Sequence, residues 1–269
     1  MKPFVLLAVF AHPDDEAFGT GGTLAKYAAE GCEVYLVTAT RGEAGGIALP
    51  ALATPASLPA VRERELRCAC QSYGIHPPIF LDYLDGQLPI VHQGQAVGKL
   101  VRIIRELQPQ VLITFGPEGI YGHYDHLAVH RWATAAYELA ADPDCFPDSA
   151  PCQPHQISKL YQRVLHQDSL AARDADGQRA AVLMDGVPFP FVGYPASEIS
   201  AVIDVASFVE PKRQGILCHA TQVGNDSRFA TEAEAVMADP WFRQETFRLA
   251  ASSVGWPEGV ENDLLAGLR

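Results

Sequence analysis

Continuous apolar runs alternate with amphipathic stretches along the first half of the chain, and each change of period marks an element. Phe4–Phe10 is apolar throughout, the pattern of a strand buried on both faces, and Glu33–Ala39 repeats it. Between them Thr20–Glu30 reads as a helix closed by Gly31. Val61–Tyr73 predicts a second helix stopped by Gly74, and Ala96–Leu107 a third that Pro109 forbids to continue. Ile79–Tyr83 and Val111–Phe115 read as short strands, and a helix from about Asp125 to Ala141 follows the loop Gly116–Tyr124. This alternation predicts an α/β fold: a Rossmann-like, doubly wound, mostly parallel sheet.

The later chain is less regular. Leu160–His166 and Ile199–Val205 read as further strands and Ser207–Ala220 as a helix. Beyond Gly224 the pattern is polar and mixed, with helix expected around Thr231–Met237 and Glu245–Ser252. The stretches Ile47–Ala60 and Asp142–Gln156 are loops or insertions that would frame a substrate pocket. No repeat or linker divides the chain. A single α/β domain is therefore expected over 1–269, with a core at about 3–222 and a helical C-terminal extension at about 223–269.

Composition narrows the class. Apolar residues make up 48% of the chain, enough for a sizeable core and too many for a disordered chain. Net charge is −12, and the one Lys/Arg-rich stretch, Arg62–Arg67, is interleaved with Glu63 and Glu65 like a solvated helix face. Nucleic acid and anionic membrane surfaces are thereby disfavoured as partners, and a neutral or cationic small substrate is favoured. No apolar run approaches the roughly 18–20 residues of a membrane span. The start, Met1-Lys2 and then apolar residues, imitates a signal peptide, but it leads into an acidic cluster instead of a small-residue cleavage site. The cysteines Cys32, Cys68, Cys70, Cys145, Cys152 and Cys218 are scattered without a C-x-x-C, which reads as free thiols in a reducing cytosol. A cytoplasmic location is expected on that basis.

Two polar clusters stand where strands end. His12-Pro13-Asp14-Asp15-Glu16 follows the first strand, and Tyr121-Gly122-His123-Tyr124-Asp125-His126 comes shortly after the fourth. In the common strand order 3-2-1-4-5, strands one and four are neighbours at the switch point, where open α/β sheets bind ligands. Topology thus brings to one crevice clusters that lie far apart in sequence. The residue types suit a catalytic metal: His12 and Asp15, three apart across a turn stiffened by Pro13, with His126 as third ligand, leave a fourth position for water. Asp14 is then free to act as general base. His123 can steady an oxyanion or protonate a leaving amine, and Asp125 can fix the tautomer of His123 or support His126. Taken singly, Asp14, Asp15 or Asp125 could each simply cap a helix. Their coincidence with three histidines at strand ends favours the metal site. Gly19-Thr20-Gly21-Gly22 does not have dinucleotide-binding spacing and reads as close helix–strand packing.

The motifs Ala11-His12-Pro13-Asp14-Asp15-Glu16, Thr40-Arg41-Gly42-Glu43-Ala44-Gly45 and Gly122-His123-Tyr124-Asp125-His126 resemble the signatures of the zinc-dependent N-acetylglucosaminyl deacetylases. That family includes phosphatidylinositol-GlcNAc, mycothiol-pathway, bacillithiol-pathway and diacetylchitobiose deacetylases. Lys212 and His219-Ala220-Thr221-Gln222 resemble a late element of the same family, so the likeness runs from about Phe4 to Gln222. The resemblance implies that His12, Asp15 and His126 bind zinc; a His₂Asp set would equally accept iron(II) or another divalent ion. It gives Asp14 the role of base, His123 that of oxyanion stabiliser and Asp125 that of its modulating neighbour. It places Tyr121 near the carbonyl as a polarising group, and Arg62 and Asp85 against the sugar.

The expected function is a metal-dependent hydrolase that removes the N-acetyl group from an N-acetylglucosamine-containing small molecule, releasing acetate and a free amine. A homo-oligomer is expected by analogy. The rivals are an amidase on another N-acyl substrate, such as an antibiotic intermediate or a thiol–sugar conjugate, a metal- or sugar-binding protein without turnover, and a nucleotide-binding regulator. Intact Asp14 and His123 argue against the non-catalytic binder.

Overall fold

A computed structural model describes residues 2–49, 51–147, 153–175, 181–184 and 186–269. Its centre is a sheet in the order β3-β2-β1-β4-β5-β10-β9, with β8 attached to β5. The strands are β1 (Val5–Phe10), β2 (Glu33–Thr38), β3 (Ile79–Phe80), β4 (Val111–Phe115), β5 (Lys159–His166), β8 (Gly193–Tyr194), β9 (Ala201–Asp204) and β10 (Gln244–Ser252). A separate hairpin pairs β6 (Ala181–Met184) with β7 (Val187–Pro190). The main helices are α1 (Gly21–Ala29), α2 (Leu58–Tyr73), α3 (Gln93–Leu107), α5 (Tyr124–Leu139), α6 (Gln167–Ala175) and α7 (Val209–Cys218); α4 (Gly119–Gly122) is a single distorted turn.

The first five strands run parallel in the expected order, and Phe10, Phe115 and their neighbours are fully buried. Only a strand covered on both faces by helices can be apolar at consecutive positions, which is why these segments were legible. The ends of β1 and β4 lie side by side, and the switch between β1 and β4 is where both polar clusters emerge.

Two expectations fail. Glu245–Ser252 is not a helix, and residues 223–269 are not simply a helical extension: β10 lies inside the sheet, antiparallel to both β5 and β9. Its Glu, Leu and Ala residues favour helix locally, but Glu245, Phe247 and Leu249 are buried in alternation. Pairing on both edges overrides the propensity. Helix does form at Ala233–Ala238, close to where it was expected.

The cysteines are not all free. Cys68 of α2 and Cys218 at the end of α7 form a disulfide across 150 positions, with Cα atoms 5.7 Å apart. The reducing-compartment reading drawn from scattered thiols loses its basis for this pair. Cys32, Cys70 and Cys145 are free, and Cys152 lies outside the described residues, as do residues 148–152 of the second expected loop. The bond clamps α2 to α7, and hence the segment carrying Arg62 and Glu65 to the one carrying His219 and Thr221. Closing so long a loop constrains the unfolded chain. Cys68→Ser with Cys218→Ser is therefore expected to cost about 2–5 kcal/mol, read as the loss in denaturant-unfolding free energy against the oxidised protein. Among the described residues no helix is long and apolar enough to cross a membrane.

Candidate active site

The turn after β1 is held in a conformation that few sequences adopt. Asp14 has φ 114°, a region a side-chain-bearing residue enters at a cost of about 1–3 kcal/mol. Three contacts hold it there. The Glu16 carboxylate accepts from the Asp14 amide at 3.0 Å, the Asp14 carbonyl accepts from Ala17 N at 2.9 Å, and the Arg62 guanidinium donates to the carbonyl of Pro13. Glu16 is itself buried and paired with the buried His219, Nε2 to Oε1 at 2.7 Å. Thr221 donates from both its amide and its hydroxyl to Glu65. The late His-x-Thr element therefore acts from below, fixing the turn and α2. Lys212 has a similar place: its ammonium bonds the Phe242 carbonyl and pairs with Glu245, whose oxygens accept the amides of Gly22 and Thr23. Glu16 and Glu65 were missed as positioning residues, because nothing in sequence spacing reveals a partner some 150–200 positions away.

The second cluster arrives on another strained turn. Ile120 has φ 70°, rare for a β-branched residue, between Gly119 and Gly122, both also at positive φ. α5 then starts at Tyr124 with His123 as its N-cap, the ring Nδ1 accepting the Asp125 amide at 3.2 Å.

Within the crevice the donor atoms of three residues converge. His12 Nδ1 lies 3.4 Å from Asp15 Oδ2 and 3.3 Å from His126 Nε2, and His126 Nε2 lies 3.2 Å from Asp15 Oδ1. Tetrahedral donors about 2.0–2.1 Å from a common ion stand about 3.3–3.4 Å apart, so the spacing suits a first-row divalent metal. The tautomers suit it as well. His126 Nδ1 is 3.1 Å from the Gly119 carbonyl and His12 Nε2 is 2.9 Å from Asp85 and 3.2 Å from Asp125, so each ring turns its other nitrogen to the common point. Asp15 meets the two rings through different oxygens, whereas in two other sets, His12–His123–His126 and His12–Asp85–Asp125, single donor atoms lie within 4.8 Å of one another. Asp85 and Asp125 sit behind His12, and His123 bonds the Asp125 amide through Nδ1, which leaves its Nε2 facing outward.

Asp125 does something other than expected. Its carboxylate touches neither His123 nor His126. It accepts from Gly86 N at 2.7 Å and Leu88 N at 3.1 Å and faces His12 Nε2. Its backbone amide, not its carboxylate, sets the His123 tautomer. Asp85 shares the back of His12 and accepts from Ala44 N at 3.0 Å; burial alone would raise its carboxyl, but these partners outweigh burial and hold it at about 2. Arg62 is equally engaged, with the carbonyls of Gly42 and Pro13 and, at 3.0 Å, with Asp14. A Cβ on Gly42 would overlap that guanidinium, and φ is 69° there, so both space and backbone require glycine. Tyr121 stands edge-on to His126, ring centroids 5.3 Å apart, and packs on Phe191.

The electrostatics separate the groups by role. Burial raises the Asp14 carboxyl to about 6, with Arg62 opposing and Asp15 adding to the rise. Burial would also raise Asp15, but His126 and His12 outweigh it and hold the carboxyl well below its ordinary value. Burial lowers His123 to about 4, helped by the neighbouring His12 and His126, so its ring is neutral near pH 7. With Nδ1 accepting from Asp125 N, the proton of that neutral ring is on Nε2 and free to be donated. Four carboxylates (Asp14, Asp15, Asp85, Asp125) crowd the crevice with Arg62 as the paired cation, a donor set that calls for a further positive charge.

Residues 7–137 match the family profile described as PIG-L: GlcNAc-PI de-N-acetylase, a span that carries every residue of the converging cluster. The chain is 35% identical to a 1D-myo-inositol 2-acetamido-2-deoxy-alpha-D-glucopyranoside deacetylase of Streptomyces griseus, over 98% of this chain and 88% of that one. The chain belongs to the GlcNAc-PI de-N-acetylase family. A deacetylase of the same description from Streptomyces avermitilis is 38% identical, over 98% of this chain and 97% of the relative. Among solved structures, the N,N'-diacetylchitobiose deacetylase of Pyrococcus horikoshii superposes with a TM-score of 0.68 at 19% identity, covering 91% of this chain and 83% of that one. A 4-carboxy-2-hydroxymuconate hydratase from Pseudomonas putida superposes with a TM-score of 0.65 at 19% identity, covering 94% of this chain and 99% of that one. The same fold thus accompanies more than one activity, and the site decides the reaction.

Because Asp125 orients His12, Asp125→Asn is expected to weaken metal affinity about 10–100-fold, measured by competition with a chromogenic chelator. The Gly86 and Leu88 amides bond opposite oxygens of Asp125, so the variant leaves one of them without an acceptor, and thermal melting of the same preparation separates a loss of fold from a loss of metal.

Proposed function

We propose that the chain hydrolyses the acetamide of an N-acetylglucosaminyl conjugate, with His12, Asp15 and His126 holding a zinc ion and Asp14 as the base. One observation carries this reading: donor atoms of three residues converge at metal spacing while the strained Asp14 beside them, its carboxyl raised to about 6, is left out of the set. Zinc suits the donor set, and iron(II) would be accepted by the same ligands. When bound, the ion supplies Lewis acidity to water and to the amide carbonyl.

The chain's own residues do the rest. Asp14 takes the proton of the attacking water, its carboxylate aimed by Arg62 and by the backbone of the turn. His123 donates from Nε2 to the oxygen on which negative charge builds. Tyr121, whose phenol burial keeps protonated, is placed to add a second donor. Protonated Asp14 returns its proton to the leaving nitrogen. Asp125 and Asp85 hold His12, and Arg62 and Asp85 build the wall of the substrate pocket on the β2 side.

The relatives suggest a glucosaminyl-inositol type of substrate, and we propose that class. The test is acetate release from 1D-myo-inositol 2-acetamido-2-deoxy-alpha-D-glucopyranoside, from N-acetylglucosamine and from di-N-acetylchitobiose, with bound metal quantified in the same preparation. Preference for the inositol conjugate is expected. Turnover of the chitobiose alone would reassign the substrate, and absence of metal with absence of turnover would overturn the reading.

A further inference from the structure

We propose that Arg163 forms a carboxylate-binding subsite on the β5 side of the cluster, which receives the acid generated from the acyl group; this rests on the hydrolysis proposed above. Arg163 lies on β5, in register with Phe115 at the end of β4, and is only 7% exposed. It is the exception among the buried cations. Arg62 bonds two carbonyls and Asp14, Arg105 bonds a set of main-chain carbonyls, Lys159 pairs with Glu261 and Lys212 with Glu245. The Arg163 side chain makes no hydrogen bond and no ion pair among the described residues, and its buried Nε has no partner. A guanidinium this buried should be paired, because desolvation without compensation is costly.

The acids within electrostatic reach are engaged elsewhere, save for Glu118 Oε1, which is buried without a partner yet makes no ion pair with Arg163. Asp15 bonds the His12 amide and faces His126, Glu245 holds Lys212 with two α1 amides, and Glu118 accepts from Tyr194 at 2.5 Å. Space has been left for the group as well. A Cβ on Gly19 would overlap the guanidinium, and the φ of Gly19 is not in the left-handed region. The glycine supplies room and not an unusual backbone angle. Gly19 belongs to the same turn as Asp14 and Asp15, and Tyr121 is also within electrostatic reach of Arg163. In the sheet order, Arg163 therefore approaches from the β5 side, across the cluster from Arg62 on α2.

The reaction makes one new anion. Water adds its oxygen to the carbonyl carbon, the C–N bond breaks, both water protons end on the departing nitrogen as an ammonium, and a carboxylate remains. That carboxylate appears among Asp14, Asp15, Asp85 and Asp125, which repel it. An unpaired guanidinium offers the planar, two-pronged donor that a carboxylate fits and a neutral acetamide does not. The carboxylate has two possible sources: acetate released as product, or an acid group carried on the acyl chain of the substrate.

The experiment titrates acetate calorimetrically into wild type, Arg163→Gln, Arg163→Lys and Gly19→Ala, each both chelated and zinc-loaded. In parallel, N-succinyl- and N-acetylglucosamine are compared as substrates. If acetate is the occupant, Arg163→Gln and Gly19→Ala weaken its binding at least about tenfold in both metal states, and Arg163→Lys restores part of it. If the acid belongs to the substrate, acetate binding is unchanged, and the succinyl-over-acetyl preference in kcat/KM falls about tenfold in Arg163→Gln. Gly19→Ala decides the matter if Arg163→Gln does not fold. The proposal is overturned if wild type binds no carboxylate, or if folded variants change neither acetate affinity nor acyl preference. Arg163-dependent acetate binding without turnover of any N-acyl sugar would instead sink the hydrolytic reading and leave the subsite standing.

Discussion

Asp14→Asn is expected to lower kcat by about 10²–10⁴-fold while leaving the metal content unchanged. The substitution keeps the size of the side chain, an oxygen for Arg62 and a residue type that tolerates positive φ. It removes only the ability to take a proton. Metal analysis, thermal melting and steady-state kinetics on one preparation separate the outcomes. A loss of metal together with rate would make Asp14 a ligand and break the assignment. The pH profile gives a second reading. Activity requires ionised Asp14 and so rises with pH through its pKa. Burial raises that value to about 6 against the pull of Arg62. A neighbouring cation can only lower it, so the acidic limb of kcat/KM should fall at or below pH 6, and Asp14→Asn should abolish it.

The second large effect is expected from removing the metal or a residue that binds it. His126→Ala, or exhaustive chelation of wild type, should take turnover below about one thousandth of its starting value, because the carbonyl and the water both lose their Lewis acid. Restoring zinc should recover the chelated wild type but not the variant. His126 is the informative choice among the three donors. Its Nδ1 is tied to the Gly119 carbonyl, and its ring stacks on Phe115 at 4.1 Å, so the ring is held in place from two sides and only its Nε2 faces His12 and Asp15. If His126→Ala retained metal and rate, the set His12–Asp85–Asp125 would become the better site.

Much of the site was legible because its chemistry is local in sequence. His12 and Asp15 share one short turn, His123 and His126 share another, and parallel strands with unbroken apolar runs leave few ways to arrange those turns. The proposed donor residues and the separate place proposed for Asp14 rest on spacing and residue type. The partners of those residues do not. Asp125 was expected beside His123 or His126, and its carboxylate went to His12 and to the amides of Gly86 and Leu88. Nothing in spacing shows that Arg62 bonds the carbonyls of Gly42 and Pro13, or that Asp85 joins the Ala44 amide to His12.

The sequence by itself determined the parallel β1–β5 order, the crevice at the β1/β4 switch and the donor types within it, because periodicity and turn chemistry act over a few residues. Only the tertiary structure decided what depends on distant contacts. It put β10 into the sheet against local helix propensity, since two hydrogen-bonded edges outweigh the preference of any one segment. It joined Cys68 to Cys218 across 150 positions, where spacing says nothing about proximity. It paired Glu16 with His219 and Glu65 with Thr221, buried contacts behind the turn that carries Asp14 and Asp15. It also left Arg163 unpaired beside Gly19, because whether a charge finds a partner is settled by three-dimensional packing and not by its neighbours along the chain.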